Sequence, residues 1–359
     1  GLGDVYKRQG QAYAIRALCY LNLATWFSRA PYNSLTGASR WNEPCVPVYT
    51  TGTSIDTGGQ PRESLRTVYG RIDQDIDRAI ELLEKARETT LAENNKSHIN
   101  LYVALGIKSR ACLAEGDWDG AFKAAKRVID EGGYAVGTKS DLTSGMNSLD
   151  KQNVMWGAGI QVADQAGGYA GFFTHMDNKE GAYAKSAPKL ISKQLYTRIS
   201  ATDIRRDWWD PSDKESPYVS KKFSFANVAS FLGDYIYMRV EEMYFTAAEA
   251  ALRLDDLKSA RELMNTVMAE RGPGYSANNR SGTLLGATTT TWTGSFLENI
   301  LTHRRIELWG EYGRLFDVRR LGQGIDRRTD DGFSEECISM MNRRNVNITK
   351  ADTYDWVLT

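Results

Sequence analysis

Two stretches of this chain repeat one another. HINLYVALGIKSRACLAEGDWDGAFKAAKRVIDEG and YMRVEEMYFTAAEAALRLDDLKSARELMNTVMAERG align at one constant offset. That offset superposes Ala111 on Ala250, Asp117 on Asp256, Ala121 on Ala260 and Val128 on Val267. In each stretch apolar residues recur at helical spacing on both sides of a short polar turn, GDWDG or LDDLK. Small residues at matched positions let two antiparallel helices approach closely. This is the pattern of tetratricopeptide-type repeats, whose period is about 34 residues. It predicts an all-α scaffold of helical hairpins.

Further helices follow from the same periodicity. Ala14, Ala17, Leu18, Leu21, Ala24 and Trp26 place one over 10–29, and Leu65, Val68, Ile72, Ile76, Ile80 and Leu83 place another over 62–88. These two form a third pair if the Gly-, Ser-, Thr- and Pro-rich segment 30–61 is a loop inserted between them. Residues 294–310 read as one more helix. The segment 132–235 differs: it is rich in Gly, Ser, Asp and aromatic residues and weakly periodic, with short strands expected at NVMWGAGI and KKFSF. Irregular segments of this length are functional or disordered, and the aromatic content argues against disorder. The expected organisation is a helical-repeat scaffold over 10–131, a loop-rich ligand-facing part over 132–235, a hairpin over 236–271, and C-terminal helices and loops of the same domain over 272–359. The opening residues 1–9 stand apart. DVYKRQ looks like the translated end of a sequencing adapter, so they are set aside from the fold reading.

Several function classes are disfavoured. With 45 basic and 45 acidic residues the chain lacks the cationic surplus that nucleic-acid or acidic-membrane binding requires. No run of 18 apolar residues marks a membrane-spanning helix. Cys19, Cys45, Cys112 and Cys337 form no CxxC, and Cys19 and Cys112 sit in amphipathic patterns that suggest buried thiols. His98, His175 and His303 share no ligand spacing, so no metal site or cofactor is expected. Asp73, Asp75, Asp77 and Glu84 mimic an EF-hand loop, but Arg78 stands where its glycine is needed. Neither a GxSxG elbow nor a phosphate-binding glycine loop occurs.

Paired carboxylates are the remaining enzymatic option, because two suffice for glycoside hydrolysis. In RRIELWGEYGRLFDVRR a continuous helix would put Arg304, Glu307, Glu311 and Arg314 on one stripe about 80° wide. An arginine three residues from each carboxylate lowers its pKa, the wrong direction for a general acid. The stripe, like Arg239, Glu242 and Glu249, therefore reads as a structural ion-pair motif. Asp203, Asp207, Asp210 and Asp213 lie close to tryptophans, but each has Arg or Lys nearby. No catalytic residue is assigned.

These residues carry a resemblance. RRIELWGEYGRLFDVRRLG resembles the C-terminal helix of the SusD/RagB-like family, and YMRVEEMYFTAAEAAL looks like that family's AEA-containing helix through Arg239, Glu242, Ala248, Glu249 and Ala250. IRALCYLNLATWFSRAPY is similar to a third motif through Arg16, Ala17, Tyr20, Leu23 and Pro31. SRACLAEGDWDGAFKAAKRVIDEGGYAV and TDIRRDWW match two more, with Ile204 in place of a proline. Ser28, His303 and Tyr312 also depart from the usual patterns. The five motifs run in the expected order from residue 11 to about 321.

The resemblance implies a nutrient-binding outer-membrane lipoprotein on the extracellular face of a Bacteroidota cell. It captures a glycan or oligosaccharide and delivers it to a SusC-like, TonB-dependent transporter, without catalysis. It also implies a lipid anchor on an N-terminal part and a C-terminal tail not found in this sequence, so the chain is expected to be a fragment at both ends. Two alternatives stay open: a RagB-like protein of peptide uptake, and a tetratricopeptide adaptor for protein partners. Sugars present apolar C–H faces that stack on exposed rings. The loop-rich segments supply Trp41, Tyr49, Tyr169, Phe172, Trp208, Trp209, Tyr218 and Trp292 as candidate ligand-binding residues, while Trp156 and Phe173 are weaker candidates. GGYAGFFTHMDNKEGAY reads equally as a mobile ligand-facing loop or a packed Ω-loop.

Overall fold

The computed structural model of the protein describes residues 1–49, 52–89, 95–162 and 170–326. Tyr169 and Cys337 lie outside these residues. Helix α1 (Leu2–Phe27) begins ahead of residue 10, where its apolar periodicity starts, because the polar residues before it are good helix formers. It runs antiparallel to α2 (Leu65–Thr89). Gly10 makes the close crossing possible, since a Cβ there would stand 2.8 Å from Leu83 Cγ. Farther along, Arg16 grips the buried Asp75 with bonds of 2.6 and 2.7 Å. The would-be calcium ligands Asp73, Asp75 and Asp77 thus sit on a continuous helix.

The first hairpin is α3 (Leu101–Glu115) and α4 (Trp118–Glu131). α3 is buried on nearly every side and forms the centre of the scaffold. Next come the short α5 (Lys139–Leu142), strand β1 (Val154–Ala158), and the short helices α6 (Phe172–Met176), α7 (Ala182–Ser186) and α8 (Lys193–Tyr196). A 3₁₀ turn over Ile204–Trp208 leads into β2 (Trp209–Asp210), followed by β3 (Val219–Ser220) and β4 (Tyr235–Arg239). The second hairpin is α9 (Val240–Arg253) and α10 (Leu257–Ala269), and the described chain closes with α11 (Phe296–Glu307) and α12 (Arg314–Leu321). The fold is mostly helical. Among the described residues its strands form two antiparallel pairs, β1 with β4 and β2 with β3.

The repeat seen in sequence has a structural basis. Asp117 and Asp256, at matched positions, cap the second helices of their hairpins by accepting from Gly120 N and Ser259 N at 3.0 Å. The residues just before them, Gly116 and Asp255, both take left-handed backbone, with φ 77° and 61°. One turn geometry therefore serves both hairpins, with glycine in the first and aspartate in the second.

Three local expectations need correction. KKFSF is not a strand. Its backbone N–H groups serve scattered acceptors (Lys221 donates to Trp208 O, Ser224 to Gly145 O and Phe225 to Asp177 Oδ2), so no single neighbour runs alongside it. Cys19 is exposed rather than buried, because it lies on the outer face of α1. RRIELWGEYGRLFDVRR is not one helix. α11 stops at Glu307, and Gly310 and Gly313 take φ of 75° and 123° before α12 begins. Gly310 has a second reason to lack a side chain, since a Cβ would lie 2.5 Å from Phe223 Cε2.

The break separates Glu307 from Glu311 and changes the partners of both. Glu307 meets three guanidiniums from distant segments: Arg205 Nη1 at 3.1 Å, Arg239 Nη1 at 3.0 Å, and Arg271 Nε and Nη2 at 2.9 and 3.0 Å. All four side chains are fully buried. Glu311 takes Arg239 at 2.8 and 2.9 Å and Lys222 Nζ at 2.5 Å. Arg304 turns the other way, to Asp317 at 3.0 Å and to Glu242 and Thr246 on α9. Arg320 makes a bidentate pair with Glu249, both bonds 2.7 Å. Burial alone would raise the Glu307 carboxyl, but Arg271, Arg239 and Arg205 outweigh it and hold it well below the usual glutamate value. Burial pulls Lys222 down to about 8 despite Glu311. His303, buried beside Arg205, stays neutral because its pKa lies well below 6.5.

Apolar packing divides into two clusters. The main one joins α1, α2 and both hairpins, and a smaller one gathers Leu142, Phe173, Leu195, Trp208, Trp209 and Phe223 with their neighbours. The ionic cluster lies between them.

Removing one member should leave buried charges unbalanced. Glu307→Ala is expected to cost about 3–5 kcal/mol, measured by urea unfolding at neutral pH. A loss below about 1 kcal/mol, the scale of a surface pair, would show that the arginines re-pair freely. A second prediction concerns Asp73 on α2 and Glu115 at the end of α3. Burial raises both carboxyls: Asp73 to about 6, with Asp77 adding to the rise and a hydrogen bond with Glu115 opposing it, and Glu115 to about 9, with Asp73 and Asp117 adding to the rise. A carboxyl raised on folding contributes stability at low pH that is lost as pH climbs through the folded value. Glu115→Gln should therefore gain on the parent protein between about pH 5 and 9, by at most about 1.4 kcal/mol per pH unit. Parallel stability–pH curves for the two proteins would refute this.

Candidate functional site

Where the two apolar clusters meet, the chain leaves a cavity of about 450 Å3, in the size range of small-molecule pockets. The antiparallel pair β1–β4 builds one wall. Its register is irregular around Trp156, which pairs with Met238, while Gly157 pairs with Ile236 and Ala158 with Tyr235. Trp156 and Tyr237 meet edge to face with centroids 5.0 Å apart. Phe172 and Phe223, 5.2 Å apart, and Tyr235 bring three more rings. Tyr235 Oη accepts from Phe172 N at 3.3 Å, which ties α6 to β4.

The opposite wall is α1, through Leu18 and Asn22, and the turn between α11 and α12, through Gly310, Glu311 and Tyr312. The left-handed Gly310 aims this turn inward. Tyr312 Oη donates to Asn22 Oδ1 at 3.3 Å, and its ring lies 3.8 Å beneath the Arg110 guanidinium. Arg110 is itself fixed. It pairs with Glu242 at 2.8 and 2.7 Å and donates to Tyr237 O at 3.1 Å. The cavity thus presents six rings with a few polar groups at its edge. Aromatic surface with sparse, oriented polar groups suits a ligand with apolar faces and hydroxyls.

Among the described ring candidates, Phe172 and the weaker candidate Trp156 line this cavity. Trp208 and Trp209 do not serve as stacking platforms: they are 2% and 1% exposed, at the centre of the smaller cluster. Trp208 Nε1 donates to Leu142 O at 2.7 Å, Lys222 Nζ covers its ring at 4.4 Å, and Trp209 packs edge-on against Trp309. Trp41 is half-buried against Tyr69 of the main core, with Arg66 over it. Tyr49 borders a different cavity of about 480 Å3 beside Tyr20 and Phe27. Tyr218 leans on Tyr196, and Trp292 lies 3.9 Å below the Arg198 guanidinium. Tyr169 falls outside the described residues, so the loop reading of GGYAGFFTHMDNKEGAY is followed only from residue 170. There Phe173 is buried.

Trp156, a weaker candidate from the sequence, and Phe223, Tyr235, Tyr237 and Tyr312, not singled out there as ring candidates, also line the cavity. One signal was available: the alternation in YIYMR puts Tyr235 and Tyr237 on the same side of a strand. The others needed the tertiary fold.

Two of the acidic residues weighed for catalysis are paired with cations. Asp203 is locked to Arg205 at 2.7 and 3.0 Å, and Glu311 is held below the usual range by Arg239 and Lys222 against the opposing effect of burial. Among the described residues no group of three or more His, Cys, Asp or Glu side chains is placed to hold a metal ion. Among the same residues no helix is long and apolar enough to cross a membrane.

Comparison with known proteins gives this geometry a family. No curated protein matches the chain. Solved structures do. A SusD-like carbohydrate binding protein from Bacteroides vulgatus ATCC 8482 is 28% identical with a TM-score of 0.72, over 91% of this chain and 66% of its own. A SusD superfamily protein from Bacteroides thetaiotaomicron VPI-5482 is 21% identical with a TM-score of 0.76, over 100% of this chain and 75% of its own. The surface glycan-binding protein A from Bacteroides uniformis is 17% identical with a TM-score of 0.60, over 89% and 67%. The latter two share the fold. The chain spans about two thirds to three quarters of these relatives. The sequence profile of the SusD family matches residues 173–356, just over half of the chain, and the protein belongs to that family.

Proposed function

We propose that this protein binds a glycan or oligosaccharide in the aromatic cavity between β1–β4 and the Gly310–Tyr312 turn, without cleaving it. The observation that carries this reading is the convergence of Trp156, Phe172, Tyr235, Tyr237 and Tyr312 on one opening in a SusD-family chain. Sugar rings stack on such surfaces through their C–H faces. In the whole protein this binding serves capture at the outer face of the outer membrane, with a lipid anchor holding it there. Delivery then passes to a SusC-like, TonB-dependent transporter. The Bacteroides vulgatus and Bacteroides uniformis relatives, named for carbohydrate and glycan binding, support the ligand class.

The test is affinity electrophoresis of the purified protein through gels containing plant, host and microbial polysaccharides, followed by calorimetry with oligosaccharides of the retarding glycan. Retardation with the glycan left intact supports binding without catalysis. Release of shorter products would overturn the non-enzymatic part. Binding of peptides and of no glycan would replace the ligand class. Trp156→Ala and Tyr237→Ala are expected to weaken binding about tenfold or more, in line with loss of a central aromatic contact. Trp208→Ala is expected instead to lower stability by about 3–5 kcal/mol in urea unfolding, as for truncation of a buried core ring.

A further inference from the structure

The cavity is rich in charge at its border, yet none of that charge is free. Arg110 and Glu311 are the ionised side chains that line it. The guanidinium of Arg110 is committed to both oxygens of Glu242 and to the Tyr237 carbonyl, with its face against the Tyr312 ring. The carboxylate of Glu311 takes three donated bonds, two from Arg239 and one from Lys222. What the cavity has left over is neutral. Trp156 Nε1, the Asn22 amide nitrogen and the Tyr237 hydroxyl have no protein partner among the described residues, and Tyr237 is 40% exposed.

Building on the glycan reading above, the geometry points to a ligand that is uncharged where it enters this cavity: a neutral saccharide, rather than a uronic-acid, sulfated or sialylated one. An anionic group entering here would leave water for a site in which, among the described residues, no lining cation is unpaired. To gain one it would have to draw Arg110 away from Glu242, and Glu242 would then keep only Arg304, at 3.3 Å. It would also approach the Glu311 carboxylate, a like charge. A neutral ring meets none of these obstacles. Its hydroxyls accept from the indole and amide N–H groups and exchange with the tyrosine hydroxyl, while its C–H faces lie on the rings.

The experiment uses the full chain and matched glycan pairs that share one backbone. One pair is a uronan and its carboxyl-reduced form, and another is a sulfated glycan and its desulfated form. Affinity is read by calorimetry at low and high salt. The neutral member of a pair that binds is expected to bind about tenfold tighter or more, with little dependence on salt. Equal or tighter binding of the charged member, weakening as salt rises, overturns the neutral assignment and leaves the glycan reading intact. Failure of both members of every pair, with no retardation by any neutral polysaccharide, overturns the glycan reading itself. Glu311→Gln supplies a second readout. It removes the like charge while Arg239 and Lys222 remain, so the affinity ratio should shift toward the charged member. A structural loss common to both ligands cancels in that ratio, and an unchanged ratio would remove Glu311 from the account.

Discussion

Glu307 is the point on which the two halves of this structure depend. A carboxylate with no access to water is costly unless its charge is balanced and its lone pairs are filled. Glu307 achieves both by drawing Arg205 from the loop-rich region, Arg239 from the end of β4 and Arg271 from the end of α10. Those arginines have obligations of their own: Arg205 also holds Asp203, and Arg271 also holds Glu241. None of these bonds can be exchanged singly without stranding another charge. The cluster therefore selects one arrangement of segments that apolar packing alone would leave free to slide.

That arrangement creates the cavity as a by-product of its geometry. The helix must stop at Glu307 for the carboxylate to face all three arginines. The chain then turns through Gly310 and Gly313, and Glu311 meets Arg239 from the other side. The turn carries Tyr312 toward Asn22 on α1 and under Arg110 on α3. β4 is fixed at its far end because Arg239 is its last residue, so Tyr235 and Tyr237 are held just upstream. The rings face one another because the ion pairs behind them cannot move.

The scaffold was legible in the sequence for a local reason. Helical hairpins are set by period, small residues and a capped turn, and all three are written in short windows. Asp117 and Asp256 show it directly, since the same residue at the same place caps the same helix. The helix end at Glu307 was less legible. Two glycines mark a possible bend, but only Phe223 and the distant arginines make a continuous helix impossible. The ring candidates were the least legible. Trp208 and Trp209 sit in a segment poor in regular structure, which reads as surface. Yet a long irregular segment needs apolar anchors to order its own chain, and those two tryptophans are its anchors. The rings that line the cavity come mostly from a two-stranded ribbon and a helix break, with Phe172 from α6 and Phe223 from a loop.

Frame and cavity wall thus differ in chemistry over most of their extent. The frame is made of ions that satisfy one another away from water, and the cavity wall is made largely of rings. Altering Tyr237 changes what the cavity touches and leaves the pairing of Glu307 intact, whereas altering Glu307 disturbs the pairing that holds β4 and the turn in place. Arg110 and Glu311 belong to the frame and also line the cavity, and Tyr312 joins the two. Its hydroxyl binds Asn22, its ring carries Arg110, and its remaining surface faces the cavity. A ligand pressing on that ring presses on the Arg110–Glu242 pair behind it, and through Arg304 on the α11–α12 bend. Tyr312 is thus the contact through which the cavity wall adjoins the buried charges.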